Sequence, residues 1–439
     1  MRVVLVSTYD LGRQPFGLAS PAAWLRARGH EVSTIDTSVA VLPPKALRQA
    51  DAVAFHLAMH TATRLAVPII SQARELNPAV RLIAYGLYAP LNAAFLRGLG
   101  VEAILGGEFE QALVDAVEGS ASPTRVHLDR LPFLPPDRST LPALHRYAPL
   151  VLNGERLPAG ATEASRGCKH LCRHCPIVPV YEGAFRIVPR EVVLEDIRRQ
   201  SAAGARHITF ADPDFFNGPG HALALVRALH QEWPSLTYDA TIKIEHLLRH
   251  RDLLPVLAET GCLFITSAVE SVEDAVLDKL HKGHTRAGFL EALRLTRAAG
   301  LHLNPTFVPF TPWTTPRGYR DLLQVILDQN LIDAVAPVQL SLRLLIPAGS
   351  RILELPEIHP LLSGFDPAGL LHRWSHPDHA VDALASQIFR IVSEKANQTA
   401  PRRDVFEQVW SAAHGAPPPE NFRLLPRAAI PYLDEPWYC

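Results

Sequence analysis

Three cysteine thiols placed close together are the residues of this chain best suited to chemistry. Cys168, Cys172 and Cys175 form a C-x3-C-x2-C array. A cubane iron–sulfur cluster held by four thiolates is coordinatively closed, whereas one held by three leaves an iron open to a further ligand. The array therefore indicates a catalytic cluster rather than one that only stores electrons.

Zinc is the alternative occupant of this array, with His170 or His174 completing a three-Cys, one-His site. Zinc motifs usually separate two ligand pairs by a dozen or more residues, and no second pair stands elsewhere in this chain. The five cysteines, an odd number, also form no disulfide framework. The spacing thus favours an iron–sulfur cluster over zinc.

Composition limits the classes of protein to be considered. The 439 residues include 43 Lys and Arg against 44 Asp and Glu, so the formal net charge is -1 and no nucleic-acid partner is expected. Apolar residues make up 48% of the chain, as in ordinary globular proteins. No apolar run approaches the roughly 18 residues of a membrane span. We therefore expect a cytoplasmic protein that acts on a small molecule and not at a membrane.

The elements before residue 118 alternate between strand and helix patterns and predict a doubly wound, Rossmann-like parallel sheet. The expected strands are Val3–Ser7, Val32–Asp36, Ala52–His56, Leu82–Tyr85 and Ala103–Leu105. Ligands of such sheets lie beyond the carboxyl ends of the strands, where Gly106 and Gly107 would allow close backbone approach. Residues 119–157 are rich in proline and predict an extended linker.

A second alternating series over residues 158–355 predicts a partial (β/α)6 barrel of the TIM type. Its expected strands are Ala161–Ser165, His207–Ala211, Leu236–Ile242, Cys262–Ala268, His302–Val308 and Val338–Leu344. Residues 356–439 show helical patterns without strand signals and end in a proline-rich tail. The prediction is therefore an α/β chain of two domains with a carboxy-terminal helical extension.

The cysteine array, the Ser165-Arg166-Gly167 run before it and its place after the first barrel strand resemble the radical S-adenosylmethionine (SAM) superfamily. The resemblance implies a 4Fe–4S cluster on Cys168, Cys172 and Cys175 whose open iron chelates SAM. An electron from a donor such as flavodoxin or ferredoxin then cleaves SAM to a 5′-deoxyadenosyl radical, which attacks the substrate. His174 fills the position of the usual aromatic residue beside adenine.

Further SAM contacts are implied by that resemblance at the carboxyl ends of the barrel strands. They are Asp212 and Asp214 for the amino group, Lys243, Glu245, Glu270 and Ser271 for the ribose or carboxylate, and the turn Ile346-Pro347-Ala348-Gly349 near adenine. Two alternatives stay open. An aspartate after the second strand can instead be a helix N-cap, and Lys243 with Glu245 can be a solvated surface pair.

The order of sheet, proline-rich connector and barrel resembles the cobalamin-binding subclass of that superfamily, in which the corrin lies between the two domains. The Asp-x-His-x-x-Gly loop of other cobalamin domains is missing, and Tyr9–Arg13 stands in its place. The alternative is a sheet that only covers the barrel mouth. His56 and His60 are expected to be hydrogen-bonded rather than to ligate a metal.

The chain ends at Cys439, after Pro436, Trp437 and Tyr438. This end resembles that of a radical SAM family with a Cys-Cys-Ala-Glu-Pro tail, in which selenocysteine can replace the second cysteine. The resemblance implies a natural chain that continues as Sec-Ala-Glu-Pro, with Cys439 as a catalytic redox or nucleophilic partner. The alternative is an ordinary exposed terminal thiol.

Two classes of function remain after this reading of the chain. The first is a SAM-cleaving radical enzyme, with methyl transfer through cobalamin and a cobalamin-independent rearrangement or thiol insertion as its competing reactions. The second is a non-enzymatic module that binds cobalamin or zinc. Iron and sulfide content separates the two classes, and a bound corrin separates the two reactions.

Overall fold

Two parallel β-sheets with helices packed against them form the framework of the chain. The computed structural model describes residues 1–120, 124–396, 400–419 and 430–435. This architecture confirms the predicted α/β class. Cys439 lies outside the described residues, so the interpretation of the tail stays a prediction.

The first sheet contains six parallel strands. They are β1 (Arg2–Ser7), β2 (Glu31–Asp36), β3 (Ala52–His56), β4 (Arg81–Tyr85), β5 (Ala103–Gly107) and β6 (Thr124–His127), in the order β2-β1-β3-β4-β5-β6. Five of the six were expected. The edge strand β6 was not, because four residues of mixed polarity within a proline-rich stretch give no clear strand pattern.

Helices cover both faces of this sheet and bury an apolar core on each. They are α1 (Phe16–Ala27), α2 (Pro44–Gln49), α3 (His60–Leu76), α4 (Tyr88–Leu91), α5 (Ala93–Gly98) and α6 (Glu110–Glu118). Helix α1 contains Pro21 in its interior. Pro21 cannot donate to the carbonyl of Gly17, which instead accepts a 2.8 Å hydrogen bond from the hydroxyl of Tyr85.

Nine further strands lie between Leu150 and Phe307. They are β7 (Leu150–Leu152), β8 (Glu155–Leu157), β9 (Ala159–Thr162), β10 (Ser165–Gly167), β11 (Phe185–Ile187), β12 (His207–Phe210), β13 (Thr237–Thr241), β14 (Cys262–Glu270) and β15 (His302–Phe307). Five of them form the second parallel sheet, in the order β15-β14-β13-β12-β9. Strands β10 and β11 form an antiparallel pair that leads into and out of the cysteine loop.

The predicted sixth barrel strand over Val338–Leu344 is wrong. A 3-10 helix occupies Pro337–Leu340, and Arg343 forms an isolated bridge with Phe310, which lies beyond the end of β15. The apolar residues of this segment reflect burial in the core and do not indicate a strand, since Val338, Leu340 and Leu344 are all buried.

The sequence predicts only helices after residue 355, and this prediction is also wrong because the segment contains short strands. An antiparallel hairpin is formed by β16 (Leu362–Asp366) and β17 (Leu371–Trp374), and the short β18 (Tyr432–Leu433) pairs with β7. Strands this short carry too few alternating residues to be recognised from sequence.

Helices pack around the second sheet, and all of them except α7 and α12 contribute to one large apolar core shared with it. They are α7 (Val178–Tyr181), α8 (Arg190–Ala202), α9 (Pro219–Glu232), α10 (Ile244–Arg249), α11 (Leu254–Glu259), α12 (Asp274–Lys279), α13 (Arg286–Ala298), α14 (Pro316–Asp328), α15 (His379–Ala396) and α16 (Arg402–His414). Within the described residues, no helix has both the length and the apolar character needed to cross a bilayer.

Candidate active site

The cysteine loop begins at a backbone turn that only glycine can form. Gly167 ends β10 with φ +71°, and a Cβ there would lie 2.5 Å from the carbonyl oxygen of Ala184. The next residue, Cys168, donates its amide to the same carbonyl at 3.1 Å. The β10–β11 pair therefore fixes where the first thiol enters the loop.

The far side of the loop is anchored on the end of α12. Arg173 donates its amide to the carbonyl of Leu280 at 3.0 Å and its guanidinium to the carbonyl of Lys279 at 2.9 Å. Between these anchors, the amide of Cys175 donates to the carbonyl of Cys172 at 3.1 Å. Both ends of the loop are thus held by backbone contacts that do not depend on a metal.

The three thiols lie close enough for their charges to interact. Burial, with a smaller contribution from the neighbouring Cys172, raises the pKa of Cys168 to about 11 and that of Cys175 to about 12. Lys243 faces Cys168, and Lys282 faces Cys175. A positively charged metal centre stabilises thiolates that burial would otherwise keep protonated, so this donor set fits a cluster.

Glu270 lies beside the loop in a buried charge network. Its carboxylate is 3.1 Å from Nε2 of His174 and 3.3 Å from Nζ of Lys282. Burial opposes the charge, but Lys282 and His174 outweigh it and lower the pKa of Glu270 to about 2. Two residues predicted to contact SAM, His174 and Glu270, are therefore brought together.

A second charged group lies on the other side of Cys168. Nζ of Lys243 is 3.2 Å from Glu245, and the ring of His170 lies 3.6 Å from that carboxylate. The alternative of a solvated surface pair is wrong, because the side chains of Lys243 and Glu245 are only 9% and 26% exposed. The structure thus places this pair at the cysteine loop.

Asp214 confirms the N-cap alternative, since its carboxylate accepts the amide of Phe216 at 3.1 Å and begins a 3-10 helix. The same carboxylate lies 2.7 Å from Nδ1 of His246. Ligand atoms of Cys168, His170 and Asp214 lie within 4.8 Å of one another. This mixed group is a possible metal site, so metal analysis has to distinguish zinc from iron.

Asp212 and Ser271 are engaged within the fold. Asp212 accepts the hydroxyl of Ser165 at 2.5 Å and the amide of Ala164 at 2.8 Å. Burial raises its pKa to about 7. Ser271 accepts the amide of Glu273 at 3.1 Å at the start of α12. Both residues brace turns beside the site.

A cavity of about 250 Å³ lies between the two sheets. Its walls include residues after β1, β3, β4 and β5 on one side and residues around β9 and β10 on the other. The order of the first sheet reverses between β1 and β3, which is where doubly wound sheets bind their ligands. The cavity therefore occupies the place that the sequence predicts for a ligand of this domain.

Gly106 and Gly107 are required by packing within the sheet. A Cβ on Gly106 would lie 2.4 Å from Cγ of Pro90. One on Gly107, whose φ is +68°, would lie 2.0 Å from the carbonyl oxygen of His127 on β6. Gly107 also lines the cavity, but the missing side chains make room for neighbouring residues of the chain.

Two buried nitrogens in the cavity wall have no hydrogen-bond partner among the described residues. They are Nδ1 of His56 and Nε of Arg13. Burial and the nearby Arg166 lower the pKa of His56 to about 4, so its imidazole is neutral. His60, in contrast, is hydrogen-bonded to the carbonyl of Gly369 at 2.6 Å, as expected.

A buried ion network that sequence reasoning missed joins the two sheets at this cavity. The guanidinium of Arg166 contacts Glu110 at 2.6 Å, Glu163 at 2.7 Å and Glu108 at 3.3 Å. It also lies 5.2 to 5.5 Å from the ring centroids of three phenylalanines. The available signal was its position in the Ser165-Arg166-Gly167 run, where a charged residue directly precedes the glycine.

A second cavity, of about 340 Å³, lies inside the barrel sheet. Residues shared by the walls of both cavities are Leu11, Arg13, Ala211 and Pro213. Gly167, just before Cys168, lines the first cavity. The loop, the space between the sheets and the barrel interior therefore adjoin one another.

Comparison with known proteins gives a family match over the middle of the chain. Residues 162–317 match the radical SAM superfamily. The hopanoid C-3 methylase of Methylococcus capsulatus is 24% identical over 326 residues, which are 69% of this chain and 62% of the methylase. This chain thus spans less than two thirds of that relative.

Two solved structures are similar in fold to this chain. One is the cobalamin-dependent SAM radical enzyme OxsB with aqua-cobalamin and SAM bound, with a TM-score of 0.69, 15% identity and coverage of 93% of this chain and 70% of OxsB. The other is the radical SAM methyltransferase TsrM of Kitasatospora setae with cobalamin and a 4Fe–4S cluster, with a TM-score of 0.58, 16% identity and coverage of 75% and 70%. At such identities the likeness establishes a shared fold.

Proposed function

We propose that this chain is a radical SAM enzyme that binds cobalamin between its two parallel sheets and transfers a methyl group to a small molecule. The observation that carries this proposal is the cavity at the carboxyl ends of β1, β3, β4 and β5, which adjoins both the cysteine loop and the barrel interior. Supporting it are the fold shared with two cobalamin-binding enzymes and the methylase among the relatives.

We assign the cluster to the thiols of Cys168, Cys172 and Cys175. When bound, the 4Fe–4S cluster supplies the electron that cleaves SAM to a 5′-deoxyadenosyl radical, and cobalamin carries the methyl group. The chain's own part is to fix the loop through Gly167 and Arg173, so that three thiols face one metal centre and leave one position open.

The charged residues at the loop suit the two ends of the SAM methionine. Lys243 and Glu245 form one pair near Cys168, and Glu270 with Lys282 forms another near Cys175. We propose that the lysines attract the carboxylate of SAM and the glutamates its amino group. His174, held by Glu270, offers its ring to adenine.

The space between the sheets fits a corrin by the chemistry of its wall. The unpartnered Nδ1 of His56 and Nε of Arg13 are groups that the amide side chains of a corrin can satisfy by hydrogen bonding. The rest of the wall is mainly apolar, as in cofactor sites generally. Because the His56 imidazole is neutral, a large ligand that covers it does not bury a charge.

Filling the cavity between the two sheets tests whether the protein binds cobalamin there. Ala58 lines the space between the sheets, and Ala58→Trp places an indole in it. We expect corrin absorbance after anaerobic reconstitution and gel filtration to be lost from Ala58→Trp, while iron content stays at the wild-type level. Ala203→Trp, exposed at the end of α8, should retain both cofactors. Equal corrin retention in Ala58→Trp would contradict the proposal.

Iron and sulfide analysis tests the cluster. Wild-type protein should hold about four of each per chain, and Cys168→Ala, Cys172→Ala and Cys175→Ala should each lose the cluster and the formation of 5′-deoxyadenosine. Cys262→Ala is the matched control, because Cys262 is buried at the start of β14 and donates to a carbonyl of its own strand. One zinc per chain, without sulfide, would contradict the iron–sulfur cluster and would indicate a zinc site instead.

Reductive cleavage of SAM needs an external electron, and we propose flavodoxin or ferredoxin in the cytoplasm as its source. Cys439 stays a proposed redox or nucleophilic partner. A UGA codon at position 440 followed by Ala-Glu-Pro codons would support it, and any other stop codon would count against it.

A further inference from the structure

Four neutral polar side chains of the barrel cavity make no side-chain hydrogen bond with any other described residue. Thr241, Thr266 and Asn304 stand in register on β13, β14 and β15, and Thr306 follows on β15. Oδ1 of Asn304 is buried without a partner. Buried polar atoms usually have hydrogen-bond partners, so Oδ1 of Asn304 is an acceptor left for a bound molecule. The half-buried hydroxyls of the three threonines add donors and acceptors beside it.

The charged side chains in the same wall are, in contrast, engaged with one another. Each has an ionic or hydrogen-bonded partner: Asp239 with His207 at 2.9 Å, Asp333 with Arg403 at 2.9 Å, Arg13 with Glu435 at 3.5 Å, Asp212 with Ser165 at 2.5 Å, and Arg402 with the carbonyl of Asp333 at 2.9 Å. A charged group in the substrate would have to break one of these pairs or remain buried without a counter-ion, which is costly.

An aromatic and apolar wall accompanies the neutral row. Phe264 precedes Thr266 by two positions on β14 and therefore faces the same side of the sheet, and Ile430 and Leu433 close the cavity from the carboxy-terminal segment. The cavity thus presents hydrogen-bonding groups beside apolar surface. A sugar ring has matching features, because its hydroxyl groups both donate and accept while its C–H face is apolar.

We infer that the substrate portion held in this cavity is a neutral polyhydroxylated ring, a sugar or a cyclitol. This inference rests on the proposed function, since it takes the barrel cavity as the substrate site. A volume of about 340 Å³ admits a small molecule. Thr241, Thr266, Asn304 and Thr306 then determine specificity by pairing with its hydroxyl groups.

Equilibrium dialysis with defined probes tests this inference on the reconstituted holoprotein. The neutral probes are methyl β-D-ribofuranoside, methyl α-D-glucopyranoside and myo-inositol; the charged probes are lysine and succinate, and cyclohexanol is the apolar one. We expect at least one neutral polyol to bind more tightly than the other classes. Thr266→Val, which removes only a hydroxyl, should weaken that binding about three- to tenfold, as for one lost neutral hydrogen bond.

Two controls separate this inference from the proposed function. Thr61→Val, in the first turn of α3 and outside both cavity walls, should bind the probes as the wild type does. Asn304→Leu should weaken binding as Thr266→Val does, while iron and corrin contents stay unchanged. Preferred binding of a charged or apolar probe, no binding of any polyol, or an unchanged affinity in both variants would overturn the inference while cofactor retention still supports the proposed function.

Discussion

Replacing Arg166 by methionine tests whether the buried ion network joins the two sheets. The arginine side chain is 7% exposed and contacts the carboxylates of Glu108 and Glu110 from one sheet and of Glu163 from the other. Methionine keeps much of the apolar contact with the surrounding phenylalanine rings but removes the charge. Three carboxylates then share a buried space without a cation.

The expected cost follows from this burial. Removing one partner of a buried ion pair typically costs about 3–5 kcal/mol, because the remaining charge is uncompensated. Arg198 provides a matched control, since it also pairs with two glutamates, Glu195 and Glu232, and lies over the ring of Trp233. It is 50% exposed, so solvent screens its ion pairs and Arg198→Met should destabilise the protein far less than Arg166→Met.

The loss of unfolding free energy caused by Arg166→Met should also depend on pH. In the wild type, burial opposes the charge of Glu110, but Arg166 outweighs it and lowers the pKa, so this group adds stability that is lost as pH falls. In Arg166→Met, the arginine no longer offsets burial, and we expect burial to outweigh the remaining hydrogen bond from Ser20 and to raise the pKa of Glu110. The folded variant then binds more protons than the unfolded chain and loses stability as pH rises. The difference between the two proteins should therefore widen from pH 5 to pH 8.

Urea unfolding at several pH values, followed by tryptophan fluorescence, measures both effects. The first transition of Arg166→Met should move to lower urea concentration by far more than that of Arg198→Met. Equal shifts for the two variants, or a difference between Arg166→Met and the wild type that is the same at pH 5 and pH 8, would refute the role given to this network.

Two further substitutions test the packing and the charges near the site. Gly29→Ala, at φ +81° with nothing near its Cβ, should cost about 1–2 kcal/mol, whereas Gly107→Ala should cost clearly more because its Cβ would meet the carbonyl of His127 at 2.0 Å. Similar unfolding midpoints for the two would contradict this account of β5 and β6. Glu270→Gln should lower the free energy of unfolding at pH 7 by about 3 kcal/mol, because the pKa of Glu270 falls from 4.5 to about 2 on folding. That loss should shrink as pH falls below 4.5 towards 2, and unfolding curves that show a constant loss across this range would rule out the ion pair with Lys282 as its cause.

The sequence alone was sufficient for the features whose signals are local. The C-x3-C-x2-C spacing lies within one loop. Each strand of the first sheet and of the barrel is marked by a pattern of apolar residues that extends over only a few positions. Local backbone geometry determines such periods, so they can be read without knowing what the segment packs against. The same reasoning failed at Val338–Leu344, where burial in the core imitated a strand.

Only the tertiary structure decided which distant side chains meet. Arg166 lies more than 50 residues from Glu108 and Glu110, and the row of Thr241, Thr266 and Asn304 exists only because three parallel strands align in register. Lys282 lies beside Glu270 and the thiols without any motif to announce it. Ion pairs and cavity walls depend on which side chains lie close together in the folded chain. The separation of two residues along the sequence does not determine the distance between them in the fold.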